Sequence, residues 1–280
     1  MQSMVAAATT PSEFINLRSG LISELLATEP FNAGTWQKLD VSESRLHDTY
    51  ELEQLTILYP MPQDMTEAID CIRPDLPWAE GHFLERVGGQ PVNPGDWHDK
   101  WPYHAGQVQL HQNGGKYDHN YMERMWPTGV DCYSSESGNF TGYRFEVGDL
   151  EDVVQLLIRE PHTRQAYLPI WFPEDTGAKE GQRVPCSLGY HFMIRNGQLH
   201  LSYYLRSCEA YRHFTNDVYM AVRLAQWVAE RVYQGASLIG AQIASQRLSL
   251  GTLHMAVASF HGFVGDQSEL EALIEEDGDG

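Results

Sequence analysis

The sequence contains no stretch approaching the roughly 18 uninterrupted apolar residues that a membrane-spanning helix needs. Its opening, MQSMVAAATTPSEF, has neither the basic start nor the long apolar core of a secretory signal. A membrane partner is therefore not expected, and a cytoplasmic setting is. Bases are scarce, with 19 Lys+Arg against 38 Asp+Glu and a formal charge of −19. So acidic a surface repels phosphate backbones, which argues against a polymeric nucleic acid but leaves room for a small anion where a few arginines converge. Only four cysteines occur, Cys71, Cys132, Cys186 and Cys208, with no CxxC pair. That disfavours a zinc ribbon or a disulfide framework and suits a reducing compartment. The 12 histidines include no HExxH or comparable ligand spacing, so no metal is expected. Internal repeats and low-complexity linkers are missing as well, which leaves a single continuous domain over 1–267. Six acids crowd into the closing SELEALIEEDGDG, and 268–280 reads as a solvated, frayed acidic tail.

What the sequence does hold suits a packed enzyme: 42% hydrophobic and 20% charged residues. Residues 11–28 carry Phe14, Ile15, Leu17, Leu21, Ile22 and Leu25 at helical spacing behind Pro11-Ser12. Residues 50–59 alternate as a strand. The run DLPWAEGHFLERV predicts a helix that stops at Gly88-Gly89. Residues 88–118, rich in Gly, Pro, Asn, Trp and His, read as a long ordered loop, because Trp97, Trp101 and Tyr103 need surfaces to pack on. On both sides of Asn196-Gly197 the pattern alternates, with Tyr190, Phe192 and Ile194 on one arm and Leu199, Leu201, Tyr203 and Leu205 on the other. That dipeptide favours a type I′ hairpin. A helix follows, with Val218, Ala221, Val222, Ala225, Val228, Ala229 and Val232 as its apolar stripe and Thr215, Asn216 or Asp217 as its cap. GTLHMAVASFHGF reads as a buried strand. The expected class is α+β, a mixed sheet packed on helices.

Cys186 follows Pro185 where a loop enters the first hairpin arm. A lone cysteine there serves as a small core residue or, with electropositive neighbours that favour the thiolate, as a nucleophile. Arg206, at the end of the return arm, and Arg164 upstream are the candidate cations.

The run VPCSLGYHFMIRNGQLHLSYYLRSCEAYRHFTNDVYMAVRL resembles the heart of the thymidylate synthase superfamily. There a Pro-Cys motif opens a hairpin whose second arm ends in Arg-Ser-x-Asp, followed by a helix that begins at Asn or Asp. The corresponding residues are Pro185-Cys186, Arg206-Ser207-Cys208-Glu209 and Asn216-Asp217. His162-Thr163-Arg164-Gln165 resembles the family's Ser-Arg-Arg segment, Gly251-Thr252-Leu253-His254 its Gly-x-x-His strand, and GGKYDHNYMERMW the segment bearing its active-site tyrosine, here Tyr121. The motifs run in order over about residues 75–263, and the first 70 residues match weakly.

The resemblance implies a sheet-mediated homodimer and covalent catalysis. Cys186 would add to C6 of a pyrimidine nucleoside monophosphate, and the activated C5 would take a one-carbon unit from the co-substrate 5,10-methylenetetrahydrofolate. Arg206 and Ser207 would hold the phosphate, with Arg164 reaching across the subunit interface; its family partner arginine is Gln165 here. His254 would approach the ribose, although the sugar-binding tyrosine expected two residues later is Ala256, which leaves CMP and dCMP both open. Glu80 and Glu85 compete as the proton-relaying acid, with Glu85 slightly ahead by its registry to Tyr121. Trp101 shields the reaction intermediate or packs. His191, Glu209 and Arg45 are further possible contacts.

Asp217 is the informative departure. In synthases acting on uracil an asparagine stands here, whereas a carboxylate accepts from the exocyclic amine of cytosine. This resembles the cytidylate hydroxymethylase branch. Asp217 as a plain helix cap, with Asn216 reading the base, is the competing interpretation. The expected product is a 5-hydroxymethylated (d)CMP. The alternatives are methylation of (d)CMP, a divergent dUMP synthase, and a nucleotide-binding protein without catalysis.

Overall fold

The computed structural model describes residues 4–36, 39–103, 112–113, 115–130, 146–177, 183–240 and 247–278. Cys132, the centre of the expected 88–118 loop and residues 279–280 lie outside this set. In chain order the elements are β1 (Val5–Ala7), α1 (Phe14–Leu26), β2 (Thr35–Trp36), β3 (Leu39–Asp40), β4 (Thr49–Pro60), α2 (Met65–Ile72), α3 (Trp78–Arg86), β5 (Gln112–Asn113) and β6 (Lys116–Tyr117). Then come α4 (Tyr121–Met125), α5 (Leu150–Arg159), β7 (Tyr167–Pro169), β8 (Ser187–Arg195), β9 (Gln198–Leu205), β10 (Cys208–Glu209), α6 (Phe214–Leu238), β11 (Ser249–Phe263) and α7 (Gln267–Gly278). They fall into two compact units, one of residues 1–74, 200–226 and 250–280, the other of 75–199 and 227–249.

In the first unit β4 lies antiparallel to β11, from Thr49 opposite Phe263 to Pro60 opposite Thr252. Short β1 adds to β4 in parallel, and β10 adds to β11 in parallel with Glu209 opposite His261. This mixed pairing, packed on helices, is the α+β class expected from the sequence. Phe14 of α1 anchors the packing: its ring lies 5.3 Å from Tyr59 and 5.7 Å from Phe214, which in turn meets Phe260 at 5.1 Å. Burying such rings removes the largest apolar areas a core can take from water.

In the second unit β7 pairs antiparallel with β8, Tyr167 opposite His191. After β8 the chain turns at Asn196 and Gly197, both with positive φ (52° and 76°), as a type I′ hairpin requires. Tyr190, Phe192 and Ile194 are all buried. The loop tryptophans find their surface on α3. A Cβ at Gly81 would lie 2.1 Å from the Trp97 ring, so only glycine admits that ring. Trp78 Nε1 donates to the Trp97 carbonyl at 2.9 Å, and Trp101 meets Trp78 at 6.0 Å.

Two expectations need correction. Residues 268–280 are not a frayed tail through Gly278: they continue α7, and Asp277 is buried. Arg18 of α1 grips both Asp277 carboxylate oxygens and also donates to Thr215 Oγ1 at 3.3 Å, while Ser19 Oγ donates to Asp277 Oδ2 at 2.7 Å. Leu270 is fully buried as well; one apolar anchor and one satisfied ion pair outweigh the repulsion among the surface acids. The second correction is the start of α6. It begins at Phe214, so Thr215, Asn216 and Asp217 lie inside its first turn and none of them caps it.

The helix acids therefore separate sharply by position. Asp277→Ala, which strands Arg18 in the core, is expected to cost about 3–5 kcal/mol in urea denaturation. Exposed Glu276→Ala is expected to change stability by less than about 0.5 kcal/mol.

Candidate active site

In the second unit Cys186 sits half-buried immediately before β8. Its neighbour Ser187 is fully buried and donates from Oγ to the Tyr121 hydroxyl at 3.2 Å. Tyr121 opens α4, and the Arg86 guanidinium lies 4.1 Å from its ring centroid. The structure thus brings Tyr121 to the residue beside Cys186. What sets Tyr121 is Asn120, the N-cap of α4, whose Oδ1 accepts from Met122 N at 2.8 Å.

The two competing acids of α3 differ in their surroundings. Glu85 Oε1 accepts from the main-chain N–H groups of Asp96 and Trp97, the latter at 3.1 Å, so this carboxylate ties down the Gly95–Trp97 bend. Its Oε2 lies 3.5 Å from His82 Nδ1, and neither atom has a hydrogen-bond partner among the described residues. Burial raises Glu85 above the ordinary carboxylate value, and the two N–H groups pull it back in part. Burial likewise keeps His82 well below the ordinary imidazole value. Glu80, five residues earlier, is half-buried.

His191 Nε2 lies 3.0 Å from the Arg164 carbonyl. A carbonyl only accepts, so that nitrogen carries the proton, and His191 holds the Arg164 main chain. The Arg164 side chain is exposed.

In the first unit Arg206 and Ser207 lead from β9 into β10. Glu209, buried on β10, accepts from Tyr211 N at 2.9 Å and Arg212 N at 2.6 Å. Burial nevertheless pushes its carboxyl up to about 7, with Asp266 adding to the rise and Arg212 opposing it. Arg212 forks onto Asp266. Opposite Glu209, His261 is lowered to about 4 by burial, with the Arg206 charge contributing.

Asn216 and Asp217, expected from the sequence to read the base, lie in two different environments. Asn216 is 2% exposed and its Nδ2 donates to the Arg212 carbonyl at 3.1 Å, one turn back. Asp217 is half-buried, and its Oδ2 lies 3.7 Å from Cys208 Sγ. His254 Nδ1 lies 3.4 Å from Ser202 Oγ. Arg45 is exposed on the turn Arg45–His47.

Sequence reasoning missed the Arg212–Asp266 fork, the Asn120 cap and the histidines His82 and His98 that face α3 and its loop. The cap had a local signal, an Asn one residue before a helical run. The histidines had none, since their meeting depends on how the loop folds back. Among the described residues no group of His, Cys, Asp or Glu could hold a metal ion.

The thymidylate synthase family model matches residues 97–238, about half of the chain. The chain belongs to the thymidylate synthase family. A Methanosarcina acetivorans protein provisionally named thymidylate synthase is 34% identical over 88 residues, covering 31% of this chain and 39% of that protein. A Methanococcoides burtonii protein of the same provisional name is 24% identical over 179 residues, 64% of this chain and 68% of its own length. The thermostable thymidylate synthase A of Bacillus subtilis shares the fold at a TM-score of 0.62 and 15% identity, covering 94% of this chain and 84% of its own. Both Cys186 and Asp217 fall within the thymidylate synthase match, whereas α3 with Glu80 and Glu85 precedes it and His254 follows it.

Glu209 gives a pH test. Its folded value of about 7 exceeds the ordinary 4.5, so ionising it weakens the folded state. The contribution is complete below the ordinary value and lost as pH rises through about 7. Urea midpoints of the wild type are expected to fall between about pH 5 and about pH 8, and those of Glu209→Gln to stay flatter over the same window.

Proposed function

We propose that this member of the thymidylate synthase family transfers a one-carbon unit from 5,10-methylenetetrahydrofolate to C5 of CMP or dCMP and hydrates it to the 5-hydroxymethyl nucleotide. Family membership supports the one-carbon transfer. The observation that carries the choice of base is the pair at the start of α6. Asn216 is buried with its amide donating to the Arg212 carbonyl, while Asp217 is half-buried one residue on. A carboxylate there accepts from the N4 amine of cytosine. Against uracil it would set acceptor against O4, a mismatch of about 1–3 kcal/mol in a desolvated site.

The chemistry follows from the residue types. Cys186 as thiolate forms a bond to C6 of the pyrimidine, and the electron pair moves to C5, which an unactivated ring does not supply. The folate supplies an electrophilic methylene carbon. C5 bonds to that carbon as the first of its two bonds to folate nitrogen breaks; C5 then gives up its proton as the second carbon–nitrogen bond breaks, which releases tetrahydrofolate. Water adds to the resulting exocyclic methylene as the C6–S bond breaks, leaving a hydroxymethyl group. Tyr121 and Ser187 flank Cys186 and orient its surroundings. Of the α3 acids, Glu85 or alternatively Glu80 would position the water; Glu85 Oε1 holds the loop main chain while its Oε2 has no hydrogen-bond partner among the described residues. Arg206 and Ser207, with Arg164 of a second copy, supply donors suited to a phosphate dianion. Trp101 would shield the exocyclic methylene intermediate.

The test offers CMP, dCMP, UMP and dUMP separately with methylenetetrahydrofolate and weighs the products. Gain of CH2O on a cytosine nucleotide is the expected outcome, and gain of CH2 on dUMP would transfer base reading to Asn216. Cys186→Ala is expected to lower turnover by about a thousandfold or more. Asp217→Asn is expected to shift the cytosine-over-uracil preference by roughly ten- to a hundredfold toward uracil.

A further inference from the structure

The loop before α4 holds a donor–acceptor arrangement with one consistent solution. Asn120 Oδ1 accepts from Met122 N at 2.8 Å, and Asn120 Nδ2 donates to the Pro94 carbonyl at 3.0 Å. Rotating the amide by half a turn would break both bonds, so its orientation is fixed. The same Nδ2, a donor only, lies 3.2 Å from His98 Nε2. His98 Nε2 must then accept, which leaves the single ring proton on Nδ1.

We propose that His98 is a positioning residue for Cys186 chemistry: as the neutral Nδ1–H tautomer it holds Asn120, which caps α4 and thereby sets the Tyr121 hydroxyl against Ser187. The inference rests on Cys186 being the nucleophile. Every link lies in the second unit, and Asn120 is 2% exposed, so little water is available to replace a lost partner. Protonating His98 would put an N–H against the amide N–H of Asn120, and the ring would have to leave.

The groups around His98 come from α3, from β6 and from its own turn. From α3, the His82 ring meets it edge-on at 5.1 Å, and His82 is itself kept neutral by burial, with Arg86 beside it. From β6, Tyr117 packs at 4.4 Å. Glu85 lies beyond His82, and Asp99 and Lys100 share the turn of His98. The positive charge of Arg86 opposes protonation of His82.

Imidazole 15N shifts decide the tautomer without any substrate. In wild-type protein at neutral pH, with the His98 signals assigned by their loss in His98→Gln, Nδ1 is expected to carry the proton and Nε2 to be bare. A proton on Nε2 overturns the proposal. Gln can accept from Asn120 without titrating, and Phe cannot. Tritium release from 5-tritiated (d)CMP is expected to stay within about threefold of wild type in His98→Gln, and to fall about tenfold in kcat with little change in KM in His98→Phe. The acidic fall in wild-type turnover is expected to move to lower pH in His98→Gln. Equal losses in both variants, or an unmoved acid limb, would overturn the proposal. Should wild-type protein release no tritium from any pyrimidine nucleotide, the reaction proposed above fails. The rate of Cys186 alkylation, mapped by peptide mass, must then show the same split between Gln and Phe, and its absence defeats the positioning role.

Discussion

With twice as many acids as bases, the chain commits three of its few arginines to buried or half-buried carboxylate forks. In the first unit Arg18 grips Asp277, and Arg212 grips Asp266. In the second, Arg124 meets both oxygens of Asp175 at 2.7 and 3.0 Å, with the Phe172 ring packed 4.4 Å from its guanidinium. Such a fork gains little over an apolar substitute of equal volume, but losing one partner strands a charge. The geometry is therefore fixed more firmly than the net energy would suggest. Arg124 stands three residues after Tyr121 on the same short helix. Arg212 precedes α6, donates its N–H to Glu209 and lends its carbonyl to Asn216. The main chain of this one residue thus holds both Glu209 and Asn216.

The same scarcity of cations shapes the titration of the site. Glu209 receives two main-chain N–H bonds and the field of Arg212, yet desolvation still outweighs them and lifts it to about 7. Its strand neighbour His261 is driven the other way, to about 4. Facing groups on adjacent strands are therefore neutral together between about pH 4 and about pH 7. Loss of the Glu209 proton is favoured by the positive charge of Arg212 and opposed by Asp266.

Local signals were legible where the chemistry is local. Asn196-Gly197 needs positive φ at both positions, and only the type I′ turn uses both, so the hairpin follows from two residues. The ordered motifs from Pro185-Cys186 to Asn216-Asp217 carried the family for the same reason, since chemistry ties those residue types to their spacing. What stayed hidden depended on partners far along the chain. Nothing in IEEDG announces that Asp277 will meet Arg18. The helices α2 and α5 also went unread, although Asp64 accepts from Glu67 N at 3.0 Å and Asp149 with Asp152 forms a capping box. The boundary of α6 slipped because Thr215, Asn216 and Asp217 are all good caps by type, and the chain starts the helix one residue earlier with a buried phenylalanine, Phe214. Glu80 and Glu85 could not be separated by periodicity alone, because what distinguishes them is the loop that folds back onto α3.

The pairing of β4 with β11 has a consequence for synthesis. Thr49 lies opposite Phe263, and the α1 side chain Arg18 is satisfied by Asp277 and Thr215, both far along the chain. Most of the second unit, by contrast, comes from the uninterrupted stretch 75–199. As the chain leaves the ribosome, that stretch can begin to order while the earlier strand still waits for its partner. Contacts so distant in sequence close slowly and leave an unpaired strand edge exposed meanwhile. The nascent protein thus spends most of its translation with β4 open to wrong partners, and that is the interval in which a chaperone holding residues 49–60 would matter most.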